Sequence, residues 1–153
     1  MPGLRHERST SQRRCRTGEH VNRVSVLLVD DSAVFLGAAR RFLQEHCAEE
    51  VNVVGTASGG DRAIVQAEAL RPQVVVLDLR MPGMTGLEVI PRLRTLLPVV
   101  RIIRLTHLEA RGYREAALAA GADEFVSKAS MDSDLLLAIR RVGRALGNSD
   151  HAG

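Results

Sequence analysis

The sequence contains no tryptophan, one tyrosine and three phenylalanines, so aromatics supply only 3% of a chain that is 45% hydrophobic. A core built from it must be aliphatic. No apolar run approaches the roughly 20 residues of a membrane-spanning helix, and no membrane association is expected. The opening stretch, MPGLRHERSTSQRRCRTGEH, lacks the apolar h-region of a secretory signal. The two cysteines, Cys15 and Cys47, fit neither a disulfide framework nor a metal-binding spacing, which leaves a reducing cytoplasm as the expected compartment. Cys47 reads as a small buried hydrophobe. Lysine is scarcer still. Of 21 basic residues, 20 are arginine, and Lys128 is the one lysine in the chain.

The formal net charge of +3 is unevenly placed. Residues 1–20 hold Arg5, Arg8, Arg13, Arg14 and Arg16 against Glu7 and Glu19, leaving 16 basic and 16 acidic residues in the remainder. The globular part therefore has no basic bias of the kind that marks nucleic-acid binding, and direct DNA binding is not expected. Residues 1–22 lack hydrophobic periodicity and read as a disordered basic tail. Val21, next to the first strand pattern, offers an alternative translation start, which would make residues 1–20 an over-extended gene prediction.

From residue 23 to 146 a regular alternation follows, with a short C-terminal tail expected at 147–153. Apolar, β-branched runs occupy 24–29, 51–57, 74–78, 99–105 and 125–127. Helical patterns lie between them. The first places Phe35, Ala39, Phe42 and Leu43 on one face behind Ser32 as N-cap. The second spans about 60–70 and is closed by Arg71-Pro72. Its Gly59-Gly60 entry has no following GK[ST] and so reads as a helix start rather than a phosphate loop. The third follows MPGMTG with Leu87, Ile90, Leu93 and Leu97, and Met81 and Met84 read as loop and packing residues. The fourth groups Tyr113, Ala116, Ala117 and Ala120. The last carries Leu135, Ile139, Val142 and Leu146 before Gly147. Five strands alternating with five helices imply right-handed crossovers and a parallel sheet covered on both faces.

Such sheets bind ligands at the carboxyl ends of their strands. The residues found there are Asp30 and Asp31 after strand 1, Asp78 after strand 3, Thr106 after strand 4 and Lys128 after strand 5. Three clustered carboxylates cannot all stay ionised without compensation. A hard divalent cation with oxygen ligands supplies it, and Mg²⁺ takes one or two carboxylates plus waters and phosphate oxygens. A carboxylate there can act as nucleophile and accept a phosphoryl group as an acyl phosphate. The cation, the ammonium and a hydroxyl would hold the transferred oxygens.

These residues resemble the receiver domain of bacterial two-component response regulators. The features that carry the resemblance are Asp30-Asp31, the D-x-x-M-P-x-x-x-G run from Asp78 to Gly86, Thr106, Phe125 and Lys128. The resemblance implies a flavodoxin-like, doubly wound (βα)5 fold with strand order 2-1-3-4-5. It implies that Asp78 takes phosphate from the phosphohistidine of a sensor histidine kinase or phosphotransfer protein. Asp30, Asp31, Asp78 and the Arg80 carbonyl would hold Mg²⁺, while Thr106 and Lys128 contact the phosphoryl group. Thr106 and Phe125 would form a switch reshaping the face made by helix 4, strand 5 and helix 5. That face, with Arg111, Arg114, Arg140 and Arg141, is the expected contact or homodimer surface. Beyond self-phosphorylation and slow autodephosphorylation, no enzymatic activity is expected.

Four positions depart from the family pattern. His107 replaces a small residue beside the phosphoacceptor, and Ala129 replaces the proline that usually follows the lysine. Arg104 lies in an interior strand, where a guanidinium needs a partner. Pro91 falls inside the third helix, where it kinks the axis or costs about 3 kcal/mol. The Lys-Ala-Ser run at 128–130 resembles regulators carrying a helix-turn-helix output. Such an output would need roughly 60 more residues than the sequence provides, so a stand-alone receiver with an unidentified effector is expected. The competing readings are a receiver-like interaction module that is not phosphorylated and the receiver part of a DNA-binding regulator. An aspartyl-phosphate phosphatase is disfavoured, because VDDS lacks the D-x-D spacing after strand 1.

Overall fold

The computed structural model describes residues 23–78, 81, 83–106 and 122–152. Chain order is β1 (Val24–Val29), α1 (Ala33–His46), β2 (Val51–Ala57), α2 (Gly60–Leu70), β3 (Val74–Asp78), α3 (Gly86–Leu96), β4 (Arg101–Thr106) and β5 (Glu124–Ser127). A 3-10 turn (Lys128–Ser130) then leads into a C-terminal helix (Met131–Ala152). Residues 1–22 and the fourth helical pattern, Tyr113 to Ala120, lie outside the described residues.

All strand pairs are parallel and the order is β2-β1-β3-β4-β5, the flavodoxin-like arrangement expected. Chain direction across the sheet reverses between β1 and β3, and a crevice opens at the carboxyl ends of strands at such a point.

Alternation along the strands divides the core in two. Val26, Leu28, Val74, Val76, Ile103, Leu105 and Val126 pack against Leu36, Ala39 and Leu43 of α1 and Leu135, Ile139 and Val142 of the C-terminal helix. Leu27, Val29, Val75, Leu77 and Ile102 pack on the other face against Ala63 and Ala67 of α2 and Val89, Ile90 and Leu93 of α3. Every fully buried hydrophobic among the described residues is non-aromatic, as the composition requires.

Helix entries are set by local chemistry. Ser32 caps α1, its Oγ accepting from the Phe35 N–H at 3.2 Å. Gly59 and Gly60 open α2 as expected, and a Cβ on Gly60 would come within 2.7 Å of Met84 Cβ and 2.8 Å of Val89 Cγ2. Arg71 ends that helix in the left-handed region. Thr85 and Glu88 form a reciprocal capping box at the start of α3, a T-x-x-E signal carried by the sequence itself. Pro91 does not end α3, which runs on to Leu96.

One buried face and three boundaries differ from expectation. In α1 the fully buried face is Leu36, Ala39 and Leu43, with Phe35 and Phe42 only partly covered. β4 begins at Arg101 rather than 99, because Val100 N–H closes a turn onto the Leu97 carbonyl and Val99 is exposed. β5 begins at Glu124, which pairs with Ile103. The last helix continues through Gly147 to Ala152, so the expected 147–153 tail is helical over nearly all its length. A single glycine costs about 1 kcal/mol in a helix, too little to stop it alone.

Ion pairs fasten the outer edges. Arg140 grips Glu50 with two hydrogen bonds of 2.7 and 2.8 Å, which hold the Glu50 carboxyl below its ordinary range. Arg141 pairs with Glu124 at 3.2 Å. Asp123 accepts from the Ile102 N–H and from Arg94 at 2.6 Å, tying α3 to the entrance of β5.

Candidate functional site

The β1 ladder extends one residue past the strand, with Asp30 N–H donating to the Ala57 carbonyl. That bond fixes Asp30 in a fully buried position, while Asp31 next to it faces solvent. Asp30 Oδ1 accepts the Ser32 N–H at 2.8 Å, so the carboxylate is oriented by the loop that caps α1. Asp78 closes β3 opposite Leu105 and is nearly buried. One carboxylate oxygen from each of Asp30, Asp31 and Asp78 lies within 4.8 Å of the others.

Lys128 reaches this cluster from the first residue of the 3-10 turn. The turn is braced by Ser127 Oγ, which accepts the Ala129 N–H at 3.2 Å. The lysine ammonium makes a close ion pair with Asp30 Oδ2 and a second, at 3.5 Å, with Asp78 Oδ2. Asp30 Oδ2 meets it as an ionic contact and has no aligned hydrogen bond. The ammonium also sits 4.4 Å from the centroid of the Phe35 ring. Lys128 therefore reaches both carboxylates without the family proline and with no cis peptide bond among the described residues.

Three acids and the lysine expected at the strand ends are thus brought together. Thr106 ends β4 beside Ser127, the residue before Lys128, at the same edge of the sheet. Phe125 is partly buried in β5 and stands in register with Arg104. Arg80, His107, Arg111 and Arg114 fall outside the described residues. Sequence reasoning missed Phe35 as part of the site: it read the ring as core-facing, and only tertiary structure places it under Lys128.

Arg104 is completely buried, and its NH1 donates to the Leu77 carbonyl at 2.7 Å. The partner that the sequence could not name is thus a backbone oxygen, one residue before Asp78. Its Nε and NH2 have no hydrogen-bond partner. Burial pushes this guanidinium down to about 10, and the neighbouring Asp78 carboxylate opposes the shift.

The donor set suits a small hard cation. It consists of carboxylate oxygens, one of them buried and met only by an ammonium, with Asp31 open to water for access.

Fold and site together define a parallel α/β protein with a cluster of three carboxylates and a lysine at its topological switch point. The chain belongs to the response regulator receiver family: the model of the response regulator receiver domain matches residues 26–140. It is 42% identical over 108 residues to a protein-glutamate methylesterase/protein-glutamine glutaminase of Geobacillus kaustophilus, covering 70% of this chain and 30% of that protein. It is 34% identical over 117 residues to the nitrate/nitrite response regulator protein NarL of Escherichia coli K12, covering 76% and 53%. Among solved structures, a LuxR-family two-component response regulator from Aurantimonas superposes with a TM-score of 0.75 at 27% identity, covering 80% and 86%. The chain spans about half or less of the length of these curated relatives. No helix among the described residues is long and apolar enough to cross a membrane.

Proposed function

We propose that this receiver accepts a phosphoryl group on Asp78 from the phosphohistidine of a sensor kinase or phosphotransfer protein, with Mg²⁺ as cofactor, and signals through protein contacts. The observation that carries this reading is the convergence of Asp30, Asp31 and Asp78 with Lys128 at one strand edge. An Asp78 carboxylate oxygen attacks phosphorus, the P–N bond breaks, and the electron pair leaves with the donor imidazole. Asp30, Asp31 and Asp78 would hold the cation, with the Arg80 carbonyl as a further ligand; bound there, it neutralises charge on the phosphoryl oxygens. The Lys128 ammonium and Thr106 hydroxyl are assigned to the other phosphoryl oxygens. The chain is read as a phosphoacceptor, with no activity beyond self-phosphorylation and autodephosphorylation.

Phe125 is assigned as the switch aromatic, because it lies across from Arg104 and two residues short of the Thr106–Ser127 pair. The output surface is assigned to β5 and the C-terminal helix, with a second copy of the chain or an effector as partner. Arg140 and Arg141 on that helix are already paired with Glu50 and Glu124, and Leu137 between them and the turn is 46% exposed. A partner there competes for two arginines and covers one leucine.

Phosphotransfer from candidate kinases to wild type and Asp78→Ala tests the reading. Label on wild type alone is the expected result. Equal labelling of both would overturn the assignment of Asp78. Wild type inert to every donor, including acetyl phosphate, would favour an interaction module that is not phosphorylated.

A further inference from the structure

Arg104 has a feature that neither packing nor the site described so far explains. Its side chain is fully buried in the second strand from the sheet edge, yet two of its three nitrogens lack a hydrogen-bond partner. No ion pair compensates it among the described residues. Removing a guanidinium from water under these conditions is costly, and an apolar residue of similar volume is commonly more stable. The arginine therefore burdens the unmodified fold.

Its position suggests what the burden serves. Arg104 stands in register with Leu77, and its one side-chain hydrogen bond among the described residues goes to the Leu77 carbonyl. That carbonyl belongs to the peptide link to Asp78. Alternation turns Leu77 and Arg104 to one sheet face and Asp78 to the other, so the guanidinium lies behind the carboxylate rather than in the crevice. Lys128 meets the Asp78 carboxylate at 3.5 Å. The Asp78 carboxylate is thus flanked by two cations, Lys128 in an ion pair and Arg104 fully buried one strand away. The Asp78 carboxylate favours the charged form of the arginine, against the effect of burial.

We propose that Arg104 is a positioning residue for the modified state: a fixed positive charge behind Asp78 that anchors its backbone and favours added negative charge on its side chain. This rests on the reading of Asp78 as phosphoacceptor. A phosphorylated side chain carries about −1.5 to −2 charge, against −1 for the free carboxylate. A buried cation close by stabilises the first more than the second, and only such a difference can shift the equilibrium between the two states. Its low-dielectric surroundings, the source of its cost, also keep its field from being screened by salt.

The test is a set of three variants, Arg104→Met, Arg104→Gln and Arg104→Lys, each measured for thermal stability and for beryllofluoride affinity with Mg²⁺ by calorimetry. Arg104→Met is expected to raise the metal-free Tm and to weaken beryllofluoride binding about tenfold. Arg104→Gln keeps a donor for the Leu77 carbonyl but not the charge, and should weaken binding to a similar degree. Arg104→Lys keeps the charge and should retain most of the affinity. The affinity loss in the Met and Gln variants should persist at high salt. Wild-type affinity in the Gln variant would overturn the proposal, and so would a Lys variant as weak as the Gln variant. A wild-type protein that binds no beryllofluoride would instead overturn the phosphoacceptor reading. A merely structural arginine would lower Tm on replacement and leave affinity unchanged.

Discussion

Lys128 stands between a carboxylate it touches closely, a carboxylate 3.5 Å away and the face of an aromatic ring. Its side chain is only 5% exposed, so each of these attractions acts with little screening. A divalent cation on Asp30 must compete with this ammonium for Oδ2. Phe35 weights that competition, since a desolvated cation–π contact is worth on the order of 1–2 kcal/mol. Phe35→Leu keeps the apolar bulk and loses the ring's negative face. It is expected to tighten Mg²⁺ binding several-fold in a calorimetric titration, whereas Phe35→Tyr leaves it near wild type. In a Lys128→Ala background the Phe35→Leu effect should vanish; an effect that survives there would show that the ring acts by packing. Lys128 was legible in the sequence because it is the only lysine and follows a strand. Phe35 was not, because helical periodicity places it only on an inward-turning stripe. What makes it a neighbour of Lys128 is the 3-10 turn, which brings residue 128 over residue 35.

Short chemical signals at element boundaries hold the loops that carry the site. The capping box at Thr85 and Glu88 fixes where α3 begins, and the segment it terminates runs back through Gly83, at φ +78°, towards Asp78. Gly60 lets the start of α2 approach the same segment at Met84. Thr85→Ala removes one half of the reciprocal box and should cost about 1 kcal/mol in urea unfolding. Thr85→Ser, which keeps the hydroxyl, should restore most of it. A Thr85→Ala protein with unchanged stability would show that the cap is replaced by water. These elements also mark what sequence patterns resolve. Strands β1, β2 and β3 were read to the residue because polar residues, Asp30, Ser58 and Asp78, close their apolar runs. β4 was read two residues early, because Val99 and Val100 continue the apolar run although a turn bond from Val100 to Leu97 still holds them. The C-terminal helix was read short, because a glycine was given the weight of a stop signal that only a left-handed cap would provide. The Arg104–Leu77 contact lies beyond any pattern, since it depends on the pairing of strands 27 residues apart.

At the scale of the whole molecule, the site joins the first, third and fifth strands, and only the folded sheet brings their ends together. The charges do not balance. Setting aside the buried Arg104 behind Asp78, three carboxylates against the Lys128 ammonium leave an excess of two negative charges within the cluster, which like-charge repulsion sets against the fold. A divalent cation removes that excess, and because the unfolded chain has no such cluster, binding is coupled to folding. Mg²⁺ at about 100 times its dissociation constant should stabilise the protein by about 2.7 kcal/mol. For a chain of this length that corresponds to a rise in Tm on the order of 5–10 °C. Asp31→Asn separates this effect from packing, because Asp31 is exposed while Asp30 and Asp78 are buried. The variant should melt at or slightly above the wild-type temperature without metal, since it relieves repulsion, and should lose most of the gain on adding MgCl₂. Calorimetric scans with and without the cation decide the matter. An equal gain in both proteins would place the cation away from this cluster, and no gain in wild type would leave Lys128, with Arg104 behind Asp78, as the counter-charge among the described residues.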